Sequence, residues 1–347
     1  MSEIQPIQAL SGLLPEEILS TLKPDKPFRA RQIFKWIADG ARDFSAMTNL
    51  PGADRIRYAS EFTIFSSHIA QTLRDPDGTV KLQVELADGT AVETVLLTDS
   101  EGRKTACVSC QVGCPMACAF CQTGHIGYRR NLTAGEIVEQ FYHLEDSVGK
   151  LDNIVFMGMG EPMLNLPAIR KAIRILTHTE GRALSRRRIT ISTSGICEGI
   201  RSLADEGPDV RLAVSLTTAD GELRDSLMPV NRSNPLQALR DAILYYTEKT
   251  GQRVTLEAAM MGGVNTTARH ARDMADFARG LNVHINLIAW NPVPTLPFRS
   301  PSAGEISSFI RMLEGWGLNV TRRMRRGEKI GGACGQLGRS DGDILDD

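Results

Sequence analysis

Cys114, Cys118 and Cys121 stand in a C-x3-C-x2-C spacing within the run CPMACAFC. Three thiolates on one tight loop can ligate three irons of a [4Fe–4S] cubane and leave the fourth iron open, which a four-cysteine ferredoxin site does not do. An open iron can chelate the amino and carboxylate groups of a methionine moiety and pass an electron into its sulfonium. The carbon radical so produced can attack unactivated C–H bonds. A zinc ribbon is the rival reading, because Cys107-x2-Cys110 precedes Cys118-x2-Cys121. Its intervening gap is seven residues, short for paired zinc knuckles, and it leaves Cys114 unused.

Other candidate groups are scattered along the chain. In the stretch GMGEP, Gly158 and Gly160 let a ligand approach the backbone, and Glu161 offers a carboxylate to an ammonium group. A plain glycine turn explains the same residues. Ser192, Ser215 and Asn291 fall at the ends of strand-like runs, where each could hydrogen-bond a ligand or cap a turn. Cys334 lies in the small-residue loop GGACGQ, with Arg325, Arg326 and Lys329 just upstream. Positive charge nearby favours the thiolate and so nucleophilicity. Cys110 and Cys197 read as packing residues, although Cys110 is close in sequence to the metal-type loop. Arg129-Arg130, Arg186-Arg187-Arg188, Arg322-Arg323 and Arg325-Arg326 are basic groups that could meet phosphates, although a solvated surface is the ordinary explanation.

A regular α/β rhythm positions these groups. The runs TACVSC, DNIVFM, RITIST, VRLAVSL, RVTLEAA and VHINLIAW each precede a helical segment. The helices are expected near 133–148, 166–177, 196–206, 235–249, 267–280 and 303–316. Six β-then-α units imply a parallel sheet with right-handed crossovers. Runs this rich in Val, Ile and Leu suggest strands buried on both faces. Periodicity alone leaves open an incomplete barrel or a doubly wound sheet. Residues 1–65 read as a small helical accessory domain, because PEEILSTL and FRARQIFKWIADG carry apolar residues at helical spacing. Residues 66–100 alternate like strands around Asp-Gly turns and read as a β-hairpin extension. Residues 101–347 form the catalytic unit.

Composition narrows the class. Of 347 residues, 42% are apolar and 23% charged, which suits a globular protein with a large core and not a disordered or fibrous one. The formal charge of −1 gives no global pull toward nucleic acid, so any such contact must be local. No run of 18 apolar residues suggests a membrane span, and the N-terminal stretch lacks the pattern of a signal peptide. Five of the seven cysteines fall between Cys107 and Cys121, which fits metal chemistry in a reducing cytoplasm better than a disulfide scaffold.

The run CVSCQVGCPMACAFCQTGHIGYRRNLTAGEIVEQ, followed by MGMGEPMLN, STSG, INLIAWNP and ACGQL, resembles the RlmN/Cfr family of radical-SAM RNA adenine methyltransferases. The resemblance covers roughly residues 90–340, with a weaker match before them. It implies an α/β fold of the incomplete (β/α)6 radical-SAM barrel type. It also implies a [4Fe–4S] cluster on Cys114, Cys118 and Cys121, and two S-adenosylmethionine (SAM) molecules per turnover. The SAM contacts would be Gly160, Glu161, Ser192, Ser215, Leu216, Thr217 and Asn291, although the family usually carries histidine where this chain has Thr217. By the same resemblance Cys334 is a methyl carrier, Cys107 its resolving thiol through a transient disulfide, and Glu93 a proton acceptor. The implied substrate is an adenine ring carbon, C2 or C8, of rRNA, with tRNA as a second candidate, lifted from its stack or held in a loop. The N-terminal domain, with Lys26, Arg29, Arg31 and Lys35, could help hold the RNA. An electron donor such as flavodoxin or ferredoxin is implied, and the chain is expected to act as a monomer. Two alternatives remain: another radical modification of RNA or peptide, and a non-catalytic metal-bearing RNA-binding protein.

Overall fold

A computed structural model describes residues 8–338; the first and last few residues of the expected N-terminal and catalytic segments lie outside that range. Ten strands form one sheet: β1 (His68–Arg74), β2 (Val80–Glu85), β3 (Ala91–Thr98), β4 (Lys104–Cys107), β5 (Asn153–Phe156), β6 (Ile189–Thr193), β7 (Arg211–Ser215), β8 (Val254–Met260), β9 (Val283–Ala289) and β10 (Val320–Arg323). Their order is β10-β9-β8-β7-β6-β5-β4-β3-β2-β1. From β4 to β10 every pairing is parallel, and from β1 to β4 every pairing is antiparallel. Six helices make the parallel crossovers: Ala134–Val148, Leu166–Thr177, Cys197–Glu206, Leu236–Thr250, Ala268–Ala278 and Ala303–Gly315.

The parallel part is an incomplete barrel. Among the described residues no ladder joins β10 to β4, yet Arg323 on β10 reaches Met157, just beyond β5, with Nη1 3.8 Å from the sulfur. The seventh parallel strand, β10, was not expected from sequence: NVTRR has one apolar residue and carries no apolar run. The extension over 66–100 contributes three strands, one more than a hairpin, because a second Asp-Gly turn at Asp88-Gly89 returns the chain once more.

The parallel strands are not apolar on both sides. Leu256, Ala258 and Met260 pack under the helices with no exposure, whereas Thr255, Glu257 and Ala259 alternate toward the barrel interior. Along the sheet, Ser215 pairs with Glu257 and Glu257 with Asn286. Asn286 then accepts from Thr321 Oγ1 at 3.1 Å, which makes a polar row inside the barrel. A curved wall of strands with two faces must send alternate side chains to each.

The N-terminal helices Pro15–Leu22, Phe28–Ala38 and Gly52–Glu61 share a continuous core with the barrel. Glu139, fully buried on the first crossover helix, fastens them: it accepts Ser11 Oγ at 2.6 Å and the Ser66 and Ser67 amides at 2.9 and 2.8 Å. His143, one turn on, lies 3.1 Å from Ser67 Oγ. Burial pulls the His143 imidazole down from 6.5 to about 4. An unfolded chain therefore binds a proton that the folded chain refuses between those values. Stability should fall by about 2–3 kcal/mol as pH drops from 6.5 to 4 and be insensitive to this group above 6.5. Urea unfolding of the wild type and His143→Gln across that range checks this; the variant should lose that part of the slope.

Candidate active site

The cysteine loop is pinned at its base by a short antiparallel ladder, Gln111–Gly113 against Tyr128–Asn131, that sequence patterning missed. At the point where the strands meet, Gly113 has φ +76°, and a Cβ there would lie 1.7 Å from the Gly127 carbonyl oxygen. No other residue fits. The Cys114 amide donates to the same carbonyl at 3.0 Å. Below the loop, Met116, Cys118, Ala119 and Phe120 pack on a separate apolar cluster of Leu227, Met228, Val230, Met261, Trp290 and Val293. The Ala119 amide donates to the Leu227 carbonyl (2.9 Å) and Trp290 Nε1 to the Phe120 carbonyl (2.8 Å). The loop is thus held by its main chain on both flanks.

Cys114, Cys118 and Cys121 rim one cavity of about 190 Å³ over the C-terminal ends of the strands. Burial pushes all three thiols up, Cys114 to about 12. A bound metal would supply the positive charge that makes them thiolates. Among the described residues, no three or more His, Cys, Asp or Glu side chains converge to hold a single metal ion. Cys107 opens on a different cavity, and Cys110 is buried beneath the loop, its carbonyl accepting from Asn165 Nδ2 at 2.8 Å. These placements set aside the zinc ribbon. A cubane needs only that three thiols face one space, each toward its own iron, and the rim provides that.

The same cavity is lined by Gly160, Glu161, Ser192, Ser215, Thr217 and Asn291. Glu161 is buried, its carboxylate accepting the Met163 and Ser194 amides at 3.1 and 2.7 Å, and burial raises its carboxyl. Three buried polar atoms on this lining have no partner in the protein: Ser194 Oγ, Thr217 Oγ1 and Asn291 Oδ1. Buried polar groups are nearly always satisfied, so these are places for ligand atoms. SAM, with its ammonium, carboxylate, diol and adenine, has the chemistry to fill them. Thr217 adopts φ +60°, a strained position for a β-branched residue, with its side chain buried. Leu216 does not line the cavity; its side chain packs in the core and its backbone is engaged by Glu257 and Arg224.

A second cavity of about 360 Å³ adjoins the first and shares Cys121, Met157, Asn291, Arg323 and Cys334 with it. Cys107 lines it too, and burial pushes its thiol up to about 12, with the Cys334 sulfur adding to the shift. All seven cysteines are free thiols. The Cys334 loop is well anchored, not a surface tail. Asn291 Nδ2 donates to the Cys334 carbonyl (3.0 Å), the Gln122 amide to the Gly335 carbonyl (2.8 Å), and Thr123 Oγ1 to the Leu337 carbonyl (2.8 Å). Glu93 is buried but lies in neither cavity. It lines a separate cleft with Gly113, Ile126, Arg129 and Gly338, on the far side of the Cys334 loop.

The basic groups are redistributed. Arg323 turns inward between the two cavities, and the Cys334 sulfur, then Glu257, raise its guanidinium. Arg130 is engaged by Asp88 (2.7 Å) and Glu136 (2.8 Å). Arg186–Arg188 are exposed but precede β6, at the end of the barrel opposite the cavities. In the N-terminal domain Arg29 pairs with Asp25 and Asp54, Arg31 with Glu180 (3.4 Å) and Lys35 with Asp39 (2.8 Å). Arg129 lines the Glu93 cleft and Arg326 the second cavity, while Arg322 is exposed on β10 beside Arg323.

Sequence reasoning also missed Glu257 and Arg224. Glu257 is a carboxylate on the cavity wall, raised by burial and bonded to Asn286 Nδ2 at 2.8 Å. Its alternation within RVTLEAA was the available signal. Arg224 is fully buried and donates to the carbonyls of Ser194, Ser215 and Leu216 and to Asn231 Oδ1. Burial lowers it to about 10. It fixes the two strand tips that present Ser194, Ser215 and Thr217. Arg224→Met should leave those acceptors unpaired and weaken SAM binding by about tenfold or more. Isothermal titration measures this, and unchanged affinity would count against the role.

Comparison with known proteins agrees with this geometry. The sequence profile of the Radical SAM superfamily matches residues 108–278, and that of the ribosomal RNA large subunit methyltransferase N-terminal domain matches residues 20–64. A probable dual-specificity RNA methyltransferase RlmN from Treponema denticola is 59% identical over 95% of both chains. One from Geobacillus kaustophilus is 41% identical over 96% of this chain and 93% of its own. The crystal structure of a radical SAM methyltransferase from Sphaerobacter thermophilus superposes with a TM-score of 0.91 at 42% identity, covering 95% of this chain and 99% of that one. The fold and the cofactors, a [4Fe–4S] cluster and SAM, follow from that kinship, and a non-catalytic binding protein is set aside: the chain belongs to the RlmN family of radical-SAM RNA methyltransferases.

Proposed function

We propose that the chain adds a SAM-derived methyl group to an adenine ring carbon, C2 or C8, of rRNA, with tRNA as a second candidate and Cys334 as the methyl carrier. One observation carries this reading: Cys334 lines both cavities, so a single sulfur borders the space rimmed by Cys114, Cys118 and Cys121 and the space holding Cys107. Its relatives in Treponema denticola and Geobacillus kaustophilus are described as probable dual-specificity RNA methyltransferases, which supports the substrate class.

Cys114, Cys118 and Cys121 would hold the cluster, which would supply the electron that cleaves the sulfonium of SAM and so a radical able to take hydrogen from a methyl group. The chain's own residues do the rest. Cys334 sulfur attacks the methyl carbon of one SAM, the sulfonium S–CH3 bond breaks so that S-adenosylhomocysteine leaves, and the thiol proton goes to solvent as the new S–CH3 bond forms. Arg323 stands beside this sulfur, a cation suited to its thiolate. After one hydrogen is taken from the S-methyl group, the remaining methylene bonds to the ring carbon. Glu93 accepts the ring proton, and the unpaired electron would return to the oxidised cluster, replacing the one spent on cleaving SAM. Cys107 thiolate then attacks the Cys334 sulfur, the S–C bond breaks, and the freed carbon takes a proton to become the product methyl. Two electrons from external thiols reduce the resulting Cys107–Cys334 disulfide. That step requires a reducing compartment, in keeping with a cytoplasmic site and a small electron-transfer protein such as flavodoxin or ferredoxin as partner. No described helix is long and apolar enough to cross a membrane. Arg129, Arg322 and Arg326 are the cations placed to meet RNA phosphates near the opening.

Anaerobically reconstituted protein is incubated with total RNA and methyl-labelled SAM, and nucleosides and peptides are resolved by mass spectrometry. The label should appear on adenosine and on the peptide bearing Cys334. Cys334→Ala should abolish both. Cys107→Ala should leave protein covalently joined to RNA, since the step that releases the product is gone. Normal methylation by Cys334→Ala would refute the carrier role.

A further inference from the structure

Lys81 lies on β2 with 3% of its side chain exposed, and its Nζ is 2.6 Å from Glu93 Oε1. The same Nζ donates to the Gly331 carbonyl at 3.4 Å. The other Glu93 oxygen, Oε2, accepts the Gly338 amide at 2.6 Å. Gly331 and Gly338 bracket the segment that carries Cys334. One buried ion pair thus touches both ends of that loop. Upstream, on the β1–β2 turn, Asp77 Oδ2 accepts the Gly327 amide at 2.9 Å, so the antiparallel strands cradle the whole approach.

A buried ion pair is a poor source of stability, because desolvation of both charges offsets their attraction. Apolar residues of similar volume would fill this position at least as well. The arrangement makes sense if the ammonium's separate donors are the point: one orients the carboxylate, another holds a backbone carbonyl. We propose that Lys81 is a positioning residue for methyl transfer, holding the Cys334 loop at Gly331 directly and at Gly338 through Glu93. The inference rests on the reading of Cys334 and Glu93 given above and deepens it. It places the proton acceptor and the methyl carrier on one mechanical unit. When Glu93 turns from Gly338 toward a substrate base, Lys81 keeps its grip on Gly331, and the sulfur stays over the cavities.

The test measures the loop itself. Holoenzyme is treated with iodoacetamide under anaerobic conditions, and carbamidomethylation of Cys334 and of Cys197 is followed by peptide mass spectrometry. Cys197 is partly exposed, lines neither cavity and makes no hydrogen bond to the Cys334 loop among the described residues, so it reports general loosening. Lys81→Met should raise the Cys334 rate by about tenfold with Cys197 unchanged, as expected for losing one charged hydrogen bond. The double variant Lys81→Met/Glu93→Gln leaves no lone buried charge, and the carboxamide oxygen it introduces can still accept the Gly338 amide. It guards against misfolding of the single variant and should also expose Cys334. SAM affinity should be unchanged in both, because Lys81 lines neither cavity, while the rate of Cys334 methylation falls. A wild-type Cys334 alkylation rate in both variants overturns the proposal, as does a rise of Cys197 in parallel with Cys334. Neither result bears on whether Cys334 carries the methyl, which Cys334→Ala decides separately.

Discussion

Two hydrogen bonds onto main-chain carbonyls join the metal-binding loop to the thiol-bearing loop: the Gln122 amide to Gly335 and Thr123 Oγ1 to Leu337. The residues concerned follow closely on Cys121 and Cys334. A site built from segments more than 200 residues apart in sequence must hold its reacting atoms within about an ångström of their proper places. Loose packing of side chains between two irregular loops would not achieve that. Bonds to the main chain do, because they fix the path of the backbone itself. The rest of the architecture serves this junction. The apolar cluster around Trp290 supports one loop from beneath, and the antiparallel strands flank the other.

The barrel interior obeys a second constraint. It must be polar enough to take a charged cosubstrate and still leave few uncompensated groups when empty. Arg224 shows how the balance is kept. Its guanidinium satisfies three carbonyls at the strand tips, whereas the buried hydroxyls of Ser194 and Thr217 beside them have no partner in the protein. The backbone is satisfied; the ligand-facing atoms are not. Asn291 divides the same two duties within one side chain, its nitrogen on the Cys334 carbonyl and its oxygen free at the cavity wall.

The six crossover helices and the strands feeding them were legible because their amphipathic periods and glycine or capping residues are local signals. The cysteine spacing was legible for the same reason. What sequence hid was produced by tertiary pairing. The ladder Gln111–Gly113 with Tyr128–Asn131 spans three or four residues per strand, too short for a pattern, and β10 is polar because it forms the barrel's edge. Arg323 and Arg322 are identical neighbours in the sequence, and strand alternation alone sends one inward and the other out. Lys81 reads as an ordinary surface lysine until the fold places Glu93 opposite it. Cys334 stands out in the sequence by its small-residue loop, while Glu93 and the roles of Cys107 and Cys334 come only from family resemblance. The structure puts the two sulfurs at one cavity and the carboxylate behind the loop.

Trp290 ties these features to a measurable property. Its indole donates to the Phe120 carbonyl, while its own carbonyl accepts from Arg325 Nη2 at 2.9 Å and Ser300 Oγ at 2.8 Å. Of the three tryptophans, Trp316 is half-exposed at a helix end and Trp36 donates to Asn49 in the N-terminal domain. Trp290 alone abuts the iron-binding turn, close enough for a coloured inorganic centre to drain its excited state. The protein therefore carries a built-in optical gauge of whether that turn is loaded, readable as dimmed ultraviolet emission without any attached dye.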